Sequence, residues 1–119
     1  MELRKMGELG ERLAADYLEK RNCRVLANNY RAGRLGEIDL VVSDHATISF
    51  IEVKTRTGKK YGTPAESVTY TKQKTIRRAA MCFLKEKRLF DNPVRFDVIE
   101  VMLTKEGKLL SINHIKNAF

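Results

Sequence analysis

The chain has no tryptophan, only two prolines, two cysteines and two histidines among 119 residues. Cys23 and Cys82 cannot make a disulfide framework, and no cysteine or histidine stands at zinc-ligand spacing. Both cysteines are expected to act as small buried hydrophobes, which suits a reducing cytoplasm. No apolar run approaches the roughly 20 residues of a membrane span, so no membrane association is expected. The N-terminal Met1-Glu2-Leu3-Arg4-Lys5 leads into a charged helix rather than a signal-peptide core. No repeat, low-complexity tract or linker divides the sequence, and 119 residues suffice for a single domain, 1–119, with one core.

Charge is present in excess of one sign, and it is concentrated. The net charge is +8. Residues 54–88 hold eleven Lys or Arg against two acids, Glu66 and Glu86, so that third carries +9 and the remainder −1. Such a patch is the electrostatic footprint of a polyanion binder. Arg56, Lys59, Lys60, Lys72, Lys74, Arg77 and Arg78 are the candidate contacts. A solvated basic helix face with no partner is the plainer alternative.

Periodicity gives the elements. Leu3, Met6, Leu9, Gly10, Leu13, Ala14 and Tyr17 form one apolar stripe of a helix over 2–20. Gly7 and Gly10 are unusual there, since glycine in a helix interior costs about 1 kcal/mol. They point to a close approach by another backbone or a ligand, or to a frayed first turn. Glu11 lies about 110° from the centre of the stripe, on the boundary between buried and wet. A first strand is expected at 24–27, a polar loop over 28–34, strands near 36–43 and 47–54, and a basic loop over 55–63. Pro64 can open a helical turn. The second helix should run from about Thr71 to Arg88, with Ile76, Ala79, Ala80, Phe83 and Leu84 buried and Gln73 pointing inward. Asp91-Asn92-Pro93 ends it. Strands follow at 94–102 and 109–115, around a turn at Lys105-Glu106-Gly107. The order is α-β-β-β-α-β-β, an α/β fold with a mixed central sheet flanked by helices.

Charged residues interrupt the second and third strands. Glu37 and Asp39 share one face, as do Glu52 and Lys54. If the hairpin pairs positions summing to 91, Asp39 opposes Glu52 and Glu37 opposes Lys54. Opposed residues have Cβ atoms about 5 Å apart. Two carboxylates so placed repel unless a cation sits between them, a ready site for a hard divalent metal. Lys54 beside them could orient a water, and the set suits metal-assisted phosphodiester hydrolysis. Ile48 and Phe50 share the face of Glu52 and Lys54, so it is not simply wet. The competing reading is a cross-strand ion pair with two solvated acids. For Glu37 that reading, a salt bridge to Lys54 or a basic loop residue, is kept, with an accessory role in holding Lys54 charged. His45 at a turn tip and His114 in the last strand read as structural or solvated.

The helical glutamate followed by x-D and E-x-K strands resembles the PD-(D/E)xK nuclease superfamily, the restriction-endonuclease-like fold. More closely, the chain is similar to the YraN-type uncharacterised protein family, through Gly7-Glu8-Leu9-Gly10-Glu11, Asn29-Tyr30-Arg31, Gly36-Glu37-Ile38-Asp39-Leu40-Val41, Phe50-Ile51-Glu52-Val53-Lys54-Thr55-Arg56, Gly62-Thr63-Pro64, Arg95-Phe96-Asp97-Val98 and His114-Ile115-Lys116-Asn117-Ala118-Phe119. The resemblance implies that Asp39 and Glu52 bind Mg²⁺ or Mn²⁺ with a backbone carbonyl near Val53. It implies that Lys54 serves the attacking water. Glu11 matches the helical glutamate that completes the metal shell in Holliday-junction-resolvase-like members, and Gln73, more loosely, an accessory polar residue. Ile38 stands where the superfamily name has proline, which is not a ligand. The expected activity is a metal-dependent endonuclease on DNA, with branched or structured DNA as a candidate substrate and a homodimer where both strands are cut. The alternatives are a non-catalytic nucleic-acid-binding adaptor on the same fold and a protein-interaction domain.

Overall fold

Alternation along the central strands decides the architecture. In a computed structural model, which describes residues 1–58 and 65–119, the elements are α1 (Leu3–Lys20), β1 (Arg24–Arg31), β2 (Glu37–Asp44), β3 (Thr47–Arg56), α2 (Tyr70–Lys87), β4 (Val94–Leu103) and β5 (Leu109–Ile115). A 3₁₀ turn, Ala65–Ser67, precedes α2. The order matches the one read from the sequence. The strands form one sheet, β1-β2-β3-β4-β5. β3 and β4 pair in parallel across the α2 crossover, and every other pairing is antiparallel.

Each strand sends alternate residues to opposite faces. Phe50, Val41 and Val98 pack with Ile76, Ala79, Ala80 and Phe83 of α2. Ile51, Leu40, Val42, Ile99 and Val101 pack with Ala14 and Leu18 of α1. The sheet is thus sandwiched between two helices, with a separate apolar layer on each face. No described helix is long and apolar enough to cross a membrane.

Two departures from the sequence reading have clear causes. β1 runs on to Arg31 rather than stopping at residue 27, because Asn28, Tyr30 and Arg31 pair with Leu40, Ile38 and Glu37. As an edge strand it leaves Asn28 and Asn29 poorly covered, which makes its sequence look like a loop. β3 extends to Arg56, two residues into the expected basic loop, because Thr55 and Arg56 continue the parallel ladder beside Val101 and Met102. The rest of that loop, with Lys59, Lys60 and Gly62-Thr63-Pro64, lies outside the described residues.

Gly10 and Gly36 set how closely the layers approach. A Cβ on Gly10 would run into Thr55 Oγ1, so the missing side chain seats α1 on β3. Gly7 has open space around it, so only one of the two helical glycines marks a close approach. Gly36, at φ +150°, would drive a Cβ into Thr75 Cγ2 and presses the entry of β2 against α2. Gly10→Ala is expected to destabilise the protein by about 1–3 kcal/mol, the usual cost of overpacking. Adding Thr55→Ala should recover part of the loss, because it removes the hydroxyl that lies nearest. Thermal melting of the single and double variants reads both effects.

Candidate metal and phosphodiester site

The β2–β3 hairpin parts where its carboxylates lie. Its two-residue turn makes Asp44 and Thr47 the closing pair, and the register continues through Val42–Ser49 to Leu40–Ile51. These pairs sum to 91, as the sequence reading required. Hydrogen-bonded rungs recur every second residue, so the next would join Ile38 and Val53. Instead the Val53 N–H donates to Asp39 Oδ2 at 2.8 Å. The Asp39 carboxylate therefore takes the place of a strand carbonyl and holds the strands at the point where they separate. Alternation breaks at the same residue. Ile38 packs in the α2-side layer with Val41, while Leu40 and Val42 face α1. β2 keeps its pairing with β1 down to Glu37.

Glu52 projects into this opening. Only 7% of the residue is exposed, and its Oε2 is fully buried with no hydrogen-bond partner. Burial, and then the Asp39 carboxyl beside it, push its pKa up to about 8. Among the described residues the cation nearest to it is the Lys72 ammonium, 3.9 Å from Oε2. Lys54 also favours the charged form of Glu52, but less strongly than Lys72. While Glu52 is ionised that oxygen lacks a donor and its burial costs free energy; once protonated, Glu52 can donate to the Asp39 carboxylate. A cation or a water held between Glu52 and Asp39 would recover the cost of the ionised form.

Glu11 reaches the site from α1. Burial and then the Asp39 charge raise its pKa, while a hydrogen bond from Asn29 lowers it. Glu11 and Val53 share the wall of a cleft of about 210 Å³ between the start of α1 and the end of β3. Among the described residues no three His, Cys, Asp or Glu side chains converge closely enough to hold a metal ion. The close pair is Asp39 and Glu52, with Glu11 one step further out.

The remaining candidates separate by position. Glu37 does not face Lys54, because the β2–β3 ladder ends at Leu40–Ile51. It bonds Arg31 of β1 at 3.2 Å, an exposed cross-strand pair. Lys54 instead lies beside Glu100 of β4 in the parallel register. Glu100 holds the Arg56 guanidinium at 3.8 Å, and the Arg56 side chain is largely buried. Arg56 also lines the cleft that Glu11 and Val53 share. Gln73 points inward as expected, but its Nε2 donates to the Val68 carbonyl at 3.1 Å and braces the start of α2. Lys74, Arg77 and Arg78 lie along α2. Lys74 lies 4.8 Å from the Tyr70 ring, and Arg77 covers Phe96 at 4.6 Å and Phe119 at 5.7 Å.

Sequence reading does not assign Lys72 to the carboxylates or Asn29 to Glu11. A signal for Lys72 exists. It stands four residues before Ile76, so it continues the buried stripe of α2 by one turn. For Asn29 the one signal is its place in the family-matching segment Asn29-Tyr30-Arg31, which does not point to Glu11.

The two-helix, five-stranded mixed sheet, with carboxylates where β2 and β3 part, is the architecture of a nuclease-like α/β core. The chain belongs to Uncharacterised protein family UPF0102, which matches residues 10–101. It is similar to UPF0102 proteins of Alkaliphilus oremlandii (48% identical; 98% of each chain covered) and Pelotomaculum thermopropionicum (46% identical; 96% of this chain and 94% of the relative). A UPF0102 protein of Caldicellulosiruptor saccharolyticus is 40% identical over the full length of both chains.

Proposed function

We propose that this protein is a metal-dependent endonuclease acting on DNA. The observation that carries the reading is the buried, unpartnered Oε2 of Glu52 beside Asp39 at the parting of two strands. Two carboxylates and an orphaned oxygen suit Mg²⁺ or Mn²⁺, which take oxygen donors. Asp39 and Glu52 would hold the ion, with Glu11 and the Val53 carbonyl at the cleft wall as the further donors. A bound divalent cation supplies Lewis acidity at a phosphate and a water of lowered pKa. The chain's own residues do the rest. The Val53 N–H fixes the Asp39 carboxylate. Lys54 and Lys72 place positive charge where negative charge develops on the phosphate, an effect strongest in a site that excludes water. Lys74, Arg77 and Arg78 of α2, with Lys59 and Lys60, would track the phosphate backbone.

The test is cleavage of linear, nicked, flapped and four-way DNA with Mg²⁺ or Mn²⁺, against an Asp39→Asn control. Cleavage that vanishes in the control supports the reading. DNA binding without cleavage under either metal would assign the chain to the adaptor alternative.

Binding itself has a separate signature. Affinity should fall with salt at a slope of about −0.9 per phosphate neutralised. Reversing Lys74 and Arg78 to Glu should weaken binding to all sequences alike and flatten that slope by about two such contacts. Arg77 is better left in place, since its removal would also uncover Phe96 and Phe119. Fluorescence anisotropy across a salt series decides. Salt-independent binding would argue for a protein partner instead.

A further inference from the structure

The first two strands change face together at one rung. Asn28 pairs with Leu40, and Tyr30 with Ile38. Residues two apart on a regular strand share a face, so both pairs should look the same way. They do not. Leu40 packs in the α1-side layer, and Asn28 lines a cavity of about 360 Å³ against α1. Ile38 packs in the α2-side layer. There Tyr30 meets Phe83 edge-on at 5.2 Å and donates to Glu86 Oε1 at 3.0 Å. The residues between these pairs, Asn29 and Asp39, stand across from one another and absorb the reversal together.

Asn29 does so with a left-handed backbone, at φ +50°. Among the described residues, four other non-glycine residues have positive φ. Asn22, His45, Arg88 and Asn117 all stand in turns or at a helix end. Asn29 stands inside a paired strand. Asparagine tolerates this conformation better than most side chains, but a strand has no turn that requires it. An unusual backbone held within regular structure points to a task for the side chain.

The reversal decides where that side chain goes. Asn28 and Asn29 line the same cavity, which neighbours on a regular strand, facing opposite ways, would not share. Glu11 of α1 lines it with them. The Asn29 amide hydrogen-bonds the Glu11 carboxylate. An ionised carboxylate only accepts, so the amide NH₂ is the donor. The charges of Asp39, Glu37 and Glu8 all oppose an ionised Glu11. Under that repulsion alone, a half-buried side chain on a helix would swing away from Asp39 into water. The Asn29 amide opposes the swing, and one N–H leaves the second carboxylate oxygen free. Among the described residues Glu11 completes no close triad with Asp39 and Glu52. Mg²⁺ keeps several of its waters when bound, so a carboxylate at that remove can still serve an ion, provided it is held in place.

We propose that Asn29 is a positioning residue of the metal site: its left-handed place across from Asp39 turns its amide onto Glu11 and keeps that carboxylate facing the Asp39–Glu52 pair. The inference rests on the metal-site reading above and adds to it a residue from the edge of the sheet.

The test is Mn²⁺ binding to the full chain, prepared free of metal, read by EPR of the unbound ion at fixed pH. Asn29→Gly is the informative variant, because glycine takes φ +50° without strain and loses only the amide. Melting without metal checks that its fold holds. Its Mn²⁺ affinity should fall by about tenfold or more, the usual cost of removing a group that orients a metal ligand. Glu11→Ala should lose at least as much. The double variant should lose no more than Glu11→Ala alone, because Asn29 acts only through Glu11. In ¹H–¹⁵N NMR of the metal-free protein, the Asn29 side-chain amide protons should move upfield in Glu11→Ala as their charged acceptor is lost. An Asn29→Gly affinity equal to wild type, losses that add in the double variant, or amide signals indifferent to Glu11→Ala would each overturn the role of Asn29 while leaving the metal site standing. A wild type that binds no Mn²⁺, with amide signals that still respond to Glu11→Ala, is a different failure: it removes the metal-site reading itself, and the role with it.

Discussion

Without metal, Glu52→Gln is expected to melt several degrees above the wild type at pH 8 and level with it near pH 5. Burial and the Asp39 carboxyl push the Glu52 pKa up to about 8, from an ordinary value near 4.5 in the unfolded chain. Between those pH values the folded protein keeps a proton that the unfolded chain has released. Stability must therefore fall as pH rises through this window, by up to about 1.4 kcal/mol for each pH unit. Glutamine has the shape of the protonated acid and nothing to ionise, so its variant escapes the loss.

Adding Mn²⁺ should reverse the ranking. A cation between Asp39 and Glu52 displaces the Glu52 proton, so its stabilising effect on the wild type should grow from pH 6 to pH 8. In Glu52→Gln, and equally in Asp39→Asn, that metal-induced shift should disappear. The amide introduced by Asp39→Asn keeps a carbonyl oxygen that can still accept from the Val53 N–H, so the fold should hold. Melting curves over pH 5–8.5, with and without Mn²⁺, read all of this. A wild-type curve that is flat in pH and indifferent to Mn²⁺ would leave Glu52 as an ordinary buried carboxyl.

The sequence and the structure agree wherever a residue's role follows from its own periodicity. The α2 stripe follows from spacing alone, and the α1 stripe does so through Met6, Gly10 and Ala14, although Leu3 is exposed and Leu18, off the expected stripe, is buried. The disagreements arise where a partner distant in sequence decides. Asn28 to Arg31 look like loop residues until β2 supplies their pairing. Register arithmetic puts Glu37 opposite Lys54, but the strands part before that rung and Arg31 holds Glu37 instead. Lys72 reads as one of the surface cations, although its position one turn before Ile76 sends it to Glu52. Asp97 and His114, separated by 17 residues, give no local sign of their bond. It depends on the pairing of β4 with β5, in which Ile99 faces His114.

Lys54→Ala should separate catalysis from binding, and Lys72→Ala should be its counterpart. A charged ammonium has no lone pair, so neither lysine can be a metal ligand while charged. The Mn²⁺-induced shift in melting should therefore survive Lys54→Ala nearly intact. DNA affinity should fall by no more than one charge contact. Cleavage should fall by about 10²-fold or more, the usual cost of removing one preorganised group that stabilises transition-state charge. Lys72 is the nearer cation to Glu52, at 3.9 Å from Oε2. It anchors the start of α2 to the site, and its loss should also weaken DNA binding by one phosphate contact. If Lys72 alone carries the electrostatic task, the ranking inverts. Lys72→Ala would then lose the cleavage, and Lys54→Ala would cost only the roughly 0.2–1 kcal/mol of a side-chain pair between strands, here with Glu100. Single-turnover cleavage and anisotropy on both variants decide which lysine serves the phosphate. Cleavage unchanged in both would defeat the mechanism even for a protein that cuts DNA, because no other described cation is drawn to Glu52 as these two are.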